Sequence, residues 1–426
     1  MSQSQILNGI PLPMALCGKA HQYMEQHMEQ HDKDICVVGG AGHVGLPLAL
    51  AFAEAGRRII VYDVNTAAME GIRKGVMPFV EDGAEPLLRQ ALQKDRLLFS
   101  SNPCDITRAK HVIVAIGTPV DEYLNPKLRA LLDLFRQLRP YLRTTQTIII
   151  RSTVYPRTCR QVERILGQNG EQWKVAYCPE RIVQGHAIKE LKELPQIVSG
   201  FSPDAVSAAT ELFGLVAPEI IHLDIEEAEL VKLFSNAWRY IQFAAANQFY
   251  MLAEQSGVDF NRVREAMVRG YGRAASLPTA GFAAGPCLLK DTLQLAAFNN
   301  NNFPLGHAAM MVNEGLPGFI VELLRRRHDL AQTRVGILGM AFKADIDDTR
   351  DSLSYKLGKI LRFHGATVGY SDEFAVDATF VSKERLLEAS DVVIIGVPHS
   401  AYRTLVVPPG VDLVDVWGVV PGSVQV

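Results

Sequence analysis

The stretch "DICVVGGAGHVGLPLALAFAEAGRRIIVYDVN", residues 34–65, changes its hydrophobic period twice. Ile35 to Val38 is a short apolar run closed by glycines. Val44 to Ala55 then carries apolar residues at helical spacing, and Arg58 to Tyr62 is a second β-rich run that ends on Asp63. Strand, tight turn, helix and strand in that order open a doubly wound α/β sheet. Gly40, Gly42 and Gly45 fill a G-x-G-x-x-G pattern at the turn, with His43 and Val44 completing it. Such glycines permit the tight turn, the approach of a pyrophosphate to backbone N–H groups, and close helix packing. The helix N-terminus then faces the phosphates. Asp63 stands where an acidic residue accepts hydrogen bonds from the adenosine ribose. Its charge repels a 2′-phosphate, so the expected cofactor is NAD rather than NADP.

Further strands are expected at "HVIVAIGTP" from His111 and "TIIIRSTVYP" from Thr147. Ligands of an open α/β sheet bind beyond the carboxyl ends of its strands, which places Thr118, Pro119, Ser152 and Thr153 along the cofactor crevice. "WKVAYCPERIVQGHAIKEL" and "PQIVSG" continue the alternation, with Glu180 at another strand end.

The segment from Glu226 to Gln255 reads as one helix of about 40 Å. It is apolar over most of its circumference, as suits a helix buried between two domains or two subunits. Lys232 and Asn236, four apart, share one face. A second strand–helix–strand unit starts near Thr333 with "RVGILGMAFKADIDDTRDS", but its glycine pattern is incomplete after Gly339. It reads as a doubly wound domain without the dinucleotide turn, whose Lys343 and Arg350 are placed to meet an anionic substrate. The expected fold is therefore α/β, with two doubly wound Rossmann-like domains joined by a long central helix. The domains are an extension at 1–33, a dinucleotide-binding domain at 34–222, a central helical region at 223–330 and a C-terminal domain at 331–426.

With 426 residues and a formal net charge of -3, the chain shows no electrostatic footprint for nucleic acid or an anionic membrane. Its six cysteines are scattered without CxxC or zinc-finger spacing, so neither a disulfide framework nor a metal site is expected, and a reducing cytoplasm fits. No secretory signal is read at the N-terminus. Lys232, Asn236 and Arg239 make the long apolar segment a poor membrane span. His27 and His31 lie one helical turn apart in the extension but lack a third ligand, and a solvated helix is expected there. By itself "GFAAGPCLLKDT", residues 281–292, leaves Cys287 open between a buried filler and a nucleophile.

Taken in order, "GGAGHVGLPLA", "GTP", "RSTV", "CPER", "EAELVKLFSNAWR", "GPCLLKD" and "FKADIDDTRDS" resemble the UDP-glucose/GDP-mannose dehydrogenases, from about Ile35 to the C-terminus. Enzymes of that family oxidise nucleotide sugars at C6 to uronic acids with two NAD. The resemblance implies that Cys287 is the nucleophile, trapping the aldehyde as a thiohemiacetal and then carrying a thioester. It implies that Lys232 and Asn236 stabilise oxyanions, with the lysine also in proton transfer, and that Asp291 orders or activates a water. Glu180 falls on the family's acidic residue for thioester hydrolysis and Thr153 on its partner near the nicotinamide. Arg181, Ile182 and Val183 share the substrate loop of Glu180. Arg273 matches an arginine that reaches the neighbouring subunit's substrate, which implies a homodimer or dimer-based oligomer. Phe342, Lys343 and Arg350 fall on residues lining the nucleotide-sugar and cofactor sites, Arg350 on the cofactor side.

The loop "AAGPC" departs from relatives with two glycines before the nucleophile. Ala284 and Pro286 restrict its path, which bears on sugar specificity. "CPERIVQG" and "KLFSNAWR" look closer to the acetamido-sugar branch, "CLLKD" to the glucose and mannose branches. Two alternatives share parts of the pattern. A two-electron β-hydroxyacid dehydrogenase explains Lys232 and Asn236 but not Cys287 with Asp291 or the C-terminal domain. A non-catalytic NAD-sensing protein of the same fold predicts missing catalytic positions, and none is missing.

Overall fold

The computed structural model describes residues 32–118 and 127–421. They form two compact units, divided between Lys232 and Leu233. His27, His31 and Pro119 lie outside the described residues.

In the first unit, β1 (Lys33–Val38) is followed by the glycine turn, helix α1 (Gly45–Glu54) and β2 (Ile59–Tyr62), as the opening stretch predicts. With β3 (Leu97–Ser100), β4 (Ala109–Val114), β5 (Thr147–Ile150), β6 (Lys174–Tyr177), β7 (Gln196–Gly200) and β8 (Ile220–His222), these strands form one sheet in the order β3-β2-β1-β4-β5-β6-β7-β8. From β3 to β6 every pairing is parallel. The sheet is covered on both faces, which is why β1 reads as a continuous apolar run. Ile35 and Val37 point into one core with α1, whereas Cys36 and Val38 enter the core on the opposite face. "PQIVSG" departs from the parallel alternation: β7 runs antiparallel to β6, Tyr177 opposite Ser199. An antiparallel neighbour needs no full crossover helix, and the helix between these strands, Ala187–Glu193, has only 7 residues.

Helix α2 (Thr158–Leu166) follows β5, and the long helix α3 (Ile225–Gln255) follows β8. The boundary between the two units falls inside α3, after Lys232.

The second unit holds the rest of α3, then α4 (Phe260–Val268), α5 (Leu288–Phe298) and α6 (Pro304–Arg325). A four-stranded parallel sheet completes it, from β9 (Arg334–Leu338), β10 (Thr367–Ser371), β11 (Val392–Ile395) and β12 (Asp412–Val414) in the order β10-β9-β11-β12. Val335 and Ile337 of β9 share a core with Ala246 and Tyr250 of α3 and with Leu316 and Ile320 of α6. At the end of β10, where the first unit carries Asp63, the carboxylate of Asp372 accepts the N–H groups of Met340 and Ala341 and pairs with the ring of His399 at 3.2 Å. Buried and so engaged, it is no longer available to a ribose.

Candidate active site

Three glycines of the first turn are required by close backbone approach. A Cβ on Gly45 would sit 2.2 Å from the Gly39 carbonyl oxygen, and one on Gly40 would sit 2.8 Å from the Val37 carbonyl oxygen. Gly39, which the G-x-G-x-x-G pattern does not mark, adopts φ +82° against the Ala115 carbonyl. Gly42 has room for a Cβ, the nearest atom being 3.4 Å away. Its missing side chain therefore opens the turn rather than satisfying packing, as the approach of a pyrophosphate requires. Asp63 accepts Ala41 N–H on Oδ2 at 3.0 Å and Asn65 N–H on Oδ1 at 2.9 Å, bracing the turn from the end of β2. His43 stacks on Phe79 with ring centroids 4.1 Å apart. Val44 is the N-cap of α1. An open glycine turn, a helix N-terminus and a strand-end carboxylate fit NAD.

Thr118 and Thr153 are half-buried beyond the ends of β4 and β5, and Ser152 Oγ donates to Val114 O at 3.3 Å. Glu180 is held on all sides. Its Oε1 accepts Arg181 N–H at 2.7 Å and Ile182 N–H at 2.8 Å, and its Oε2 pairs with the buried guanidinium of Arg151. Arg151 also donates to Gln196 Oε1 at 2.9 Å and lies over the Phe213 ring. Val183 N–H reaches Glu190 at 2.5 Å, and Glu81 accepts Gly185 N–H and Ala187 N–H at 2.9 and 2.6 Å. The 180–187 loop thus hangs from three carboxylates. Burial pushes the Glu81 carboxyl up, against the pull of those N–H donors.

The first turns of α3 are fastened to α2. Glu229, with no solvent exposure, accepts Arg157 N–H at 2.5 Å and Cys159 N–H at 2.9 Å, capping α2 from outside it. Burial raises the Glu229 carboxyl, and the capped N–H groups pull the other way. Glu226 pairs with Arg160 at 2.5 Å. Lys232, one turn past Glu229, is therefore set by a fixed helix and is itself buried.

In the second unit Cys287 is solvent-exposed at the N-cap of α5, whereas Cys36, Cys159 and Cys178 are buried and Cys104 is half-buried. Burial pushes the thiols of Cys36 and Cys159 far up and that of Cys178 to about 12, which makes them poor nucleophiles. Cys287, Lys290 and Asp291 are spaced i, i+3, i+4 and share one face of α5. Asp291 is fully buried. It accepts Asn236 Nδ2–H at 2.5 Å and pairs with Lys290 Nζ at 3.4 Å. Burial opposes the Lys290 charge, but Asp291 and Cys287 outweigh it and hold the ammonium above its usual range. Lys290 was recoverable from the sequence as the cation one turn from the cysteine.

The loop before Cys287 is shaped by glycines. Gly285 takes φ +97°, donates its N–H to Asp351 O at 3.3 Å and has Phe342 packed so close that a Cβ would meet the ring at 2.5 Å. Ala284 is spared a positive φ. Arg350 is held two-pronged by Asp348, 2.9 Å from Nε to Oδ1 and 2.5 Å from Nη2 to Oδ2. The hydrogen bond to Asp348, against burial, raises the guanidinium's pKa, and the Asp348 charge adds to it. Arg350 and Lys343 both belong to the second unit. Arg273 is exposed, over the ring of Tyr271 at 4.8 Å. No cluster of three or more metal-ligating side chains occurs among the described residues.

Residues 33–215 match the NAD binding domain of the UDP-glucose/GDP-mannose dehydrogenase family, 226–315 its central domain and 336–420 its UDP binding domain. The chain belongs to this family. It is 29% identical over 378 residues to the UDP-N-acetyl-D-mannosamine dehydrogenase of Pyrococcus horikoshii, covering 86% of this chain and 90% of that one. The solved UDP-D-ManNAc dehydrogenase of the same organism superposes with a TM-score of 0.85 at 27% identity, over 91% of this chain and 96% of that one. A UDP-glucose dehydrogenase from Pyrobaculum islandicum does so with a TM-score of 0.83 at 30% identity, over 91% and 94%. This member of the family is an NAD-dependent nucleotide-sugar dehydrogenase, with its NAD binding domain in the first unit and its UDP binding domain in the second. No helix among the described residues is long and apolar enough to cross a membrane.

Proposed function

We propose that this dehydrogenase carries out a four-electron oxidation of a UDP-hexose or UDP-N-acetylhexosamine at C6, giving the nucleotide uronic acid through Cys287. The observation that carries this reading is the setting of Cys287: exposed at a helix N-terminus, with Lys290 and a buried Asp291 on the same helical face. NAD, held by the Gly40–Gly45 turn and Asp63, supplies the hydride acceptor for both oxidations.

The Cys287 thiolate adds to the C6 aldehyde to form a thiohemiacetal, which loses a hydride to become a thioester. Water then attacks the acyl carbon, the C–S bond breaks, the thiolate leaves and a carboxylate remains. Holding the aldehyde covalently prevents its escape between the two oxidations. Lys232 and Asn236 stabilise the oxyanions, and Lys232 also moves a proton. Asp291 orients Asn236 and the hydrolytic water. Glu180 and Thr153 act on that water too, with Glu180 held in orientation by Arg151 and two backbone N–H groups. Arg181, Ile182, Val183, Phe342 and Lys343 line the sugar nucleotide, and Arg350 lies on the cofactor side.

The active enzyme in this reading is a homodimer. On α3, Phe234, Trp238, Phe249 and Leu252 are 42–59% exposed, and their helical spacing sets them on one face. A second copy of the same helix covers it across a twofold axis, and Arg273 of one chain reaches the substrate of the other. The function expected is that of a cytoplasmic enzyme supplying uronic acids for polysaccharide biosynthesis.

The test is a spectrophotometric panel of UDP- and GDP-sugars, glucose, N-acetylmannosamine and N-acetylgalactosamine among them, counting NADH formed per sugar consumed. Two NADH per sugar is the expected result. One NADH with accumulating aldehyde overturns the thioester route.

A further inference from the structure

Two asparagines sit where a helical protein has least reason to keep them. Asn247 lies in the interior of α3 and Asn313 in the interior of α6, and neither has any solvent exposure. Asparagine is a poor helix former, and a buried amide is costly unless its hydrogen bonds are made. Here they are made, largely to backbone outside their own helices. Asn247 Oδ1 accepts the N–H of Gly281 at 2.8 Å, and its Nδ2 donates to the carbonyl of the same Gly281 at 3.0 Å. Nδ2 also donates to Asn313 Oδ1 at 2.9 Å, and Asn313 Nδ2 donates to the Tyr240 carbonyl at 2.9 Å. One side chain thus answers both polar groups of one loop residue, as a neighbouring strand would. The second side chain fixes which way the first amide faces.

Gly281 opens the loop that leads to Cys287. It takes φ +147°, and a Cβ on it would lie 2.3 Å from the Trp417 ring, so the residue is pinned between an amide and an indole. From there Phe282 and Ala283 are buried, Gly285 is covered by Phe342, and Cys287 begins α5. We propose that Asn247, oriented by Asn313, is a positioning residue that sets the path of the Gly281–Pro286 loop and through it the place of the Cys287 thiol. The inference rests on the reading of Cys287 as the nucleophile. It assigns Asn247 no contact with substrate or cofactor.

The experiment compares full-length Asn247→Ala, Asn247→Asp, Asn313→Ala and Cys287→Ala with the parent, well below each variant's unfolding transition. Three kinds of measurement are made: kcat and KM for NAD and for the sugar, the rate at which iodoacetamide alkylates Cys287 by peptide mass spectrometry, and the folded fraction by circular dichroism. Asn247→Ala is expected to lower kcat by about a hundredfold, the scale for a misplacement near 1 Å, with both KM values held within about twofold and the alkylation rate changed. Asn313→Ala gives a smaller loss of the same kind. Asn247→Asp is the conservative rescue: only its neutral carboxyl both accepts from and donates to the loop, and burial raises its pKa. Its kcat relative to the parent should therefore recover as pH falls. Parental kcat and alkylation rate in Asn247→Ala overturn the proposal, as does a loss that follows the folded fraction alone. If Cys287→Ala still forms uronate, the nucleophile reading fails and this inference with it. If Cys287→Ala is dead and Asn247→Ala is normal, only the positioning role fails.

Discussion

Asn236 of α3 donates its amide to Asp291 of α5 at 2.5 Å, and Asp291 has no exposure to solvent. The contact joins residues 55 positions apart in the chain and leaves Lys290 as the cation beside the carboxylate. Asn236→Ala deprives a buried carboxylate of its donor. It should cost about 1–3 kcal/mol of stability, read by urea denaturation, and lower kcat by about tenfold to a thousandfold through loss of an oxyanion donor. Asp291→Asn should spare more stability than Asn236→Ala while losing comparable activity.

Cys287→Ala should reduce uronate formation by at least about a thousandfold, as loss of a covalent nucleophile does. NAD binding, measured by calorimetry, should stay near the parental value because the Gly40–Gly45 turn belongs to the other unit. Normal uronate yield by mass spectrometry would leave Cys287 an exposed thiol with no part in the chemistry.

Asp63→Ala removes the carboxylate proposed to accept from the ribose, a charged hydrogen-bonding group worth about 1.5–3 kcal/mol, so affinity for NAD should drop about tenfold or more. NADP should lose less, because repulsion of its 2′-phosphate disappears with the carboxylate. Steady-state kinetics with both cofactors check this, and a parental preference for NADP would contradict it.

Glu254, near the end of α3, has a buried Oε1 without a hydrogen-bond partner. Burial raises its carboxyl from 4.5 to about 7, with Arg327 pulling down and Asp259 pushing up. The folded state therefore holds this proton more tightly than the unfolded chain. Its contribution is fully present below about pH 4.5 and is lost as pH rises through about 7. Glu254→Gln mimics the protonated form at every pH. It should match the parent's Tm at pH 5 and exceed it at pH 8, by scanning fluorimetry. An equal difference at both pH values would show that Glu254 does not titrate in this window.

Arg273→Ala and Cys287→Ala enzymes, each inactive, should complement when unfolded together in equal amounts and refolded. Random pairing gives about half mixed dimers, each with one intact site if the arginine acts across the interface, so about a quarter of all sites recover. Activity no higher than that of the separate variants, with mixed dimers confirmed by native mass spectrometry, excludes a shared site.

The period changes in residues 34–65 determined β1, α1, β2 and the glycine turn, because these are local: which residues face the sheet follows from side-chain alternation and the turn from glycine. The order of the motifs determined the family and singled out Cys287, Lys232, Asn236 and Asp291. What the sequence could not determine were pairings that depend on distant backbone. The antiparallel placing of β7, the Arg151–Glu180 pair, the capping of α2 by Glu229 and the clamp of Asn247 on Gly281 each join residues at least 20 positions apart. No periodicity marks them, since a buried polar side chain is chosen by whichever N–H or carbonyl the fold leaves unanswered beside it. Asn247 shows the limit plainly: in the sequence it is one polar residue in a long apolar helix, and only the loop packed against that helix gives it an amide to satisfy.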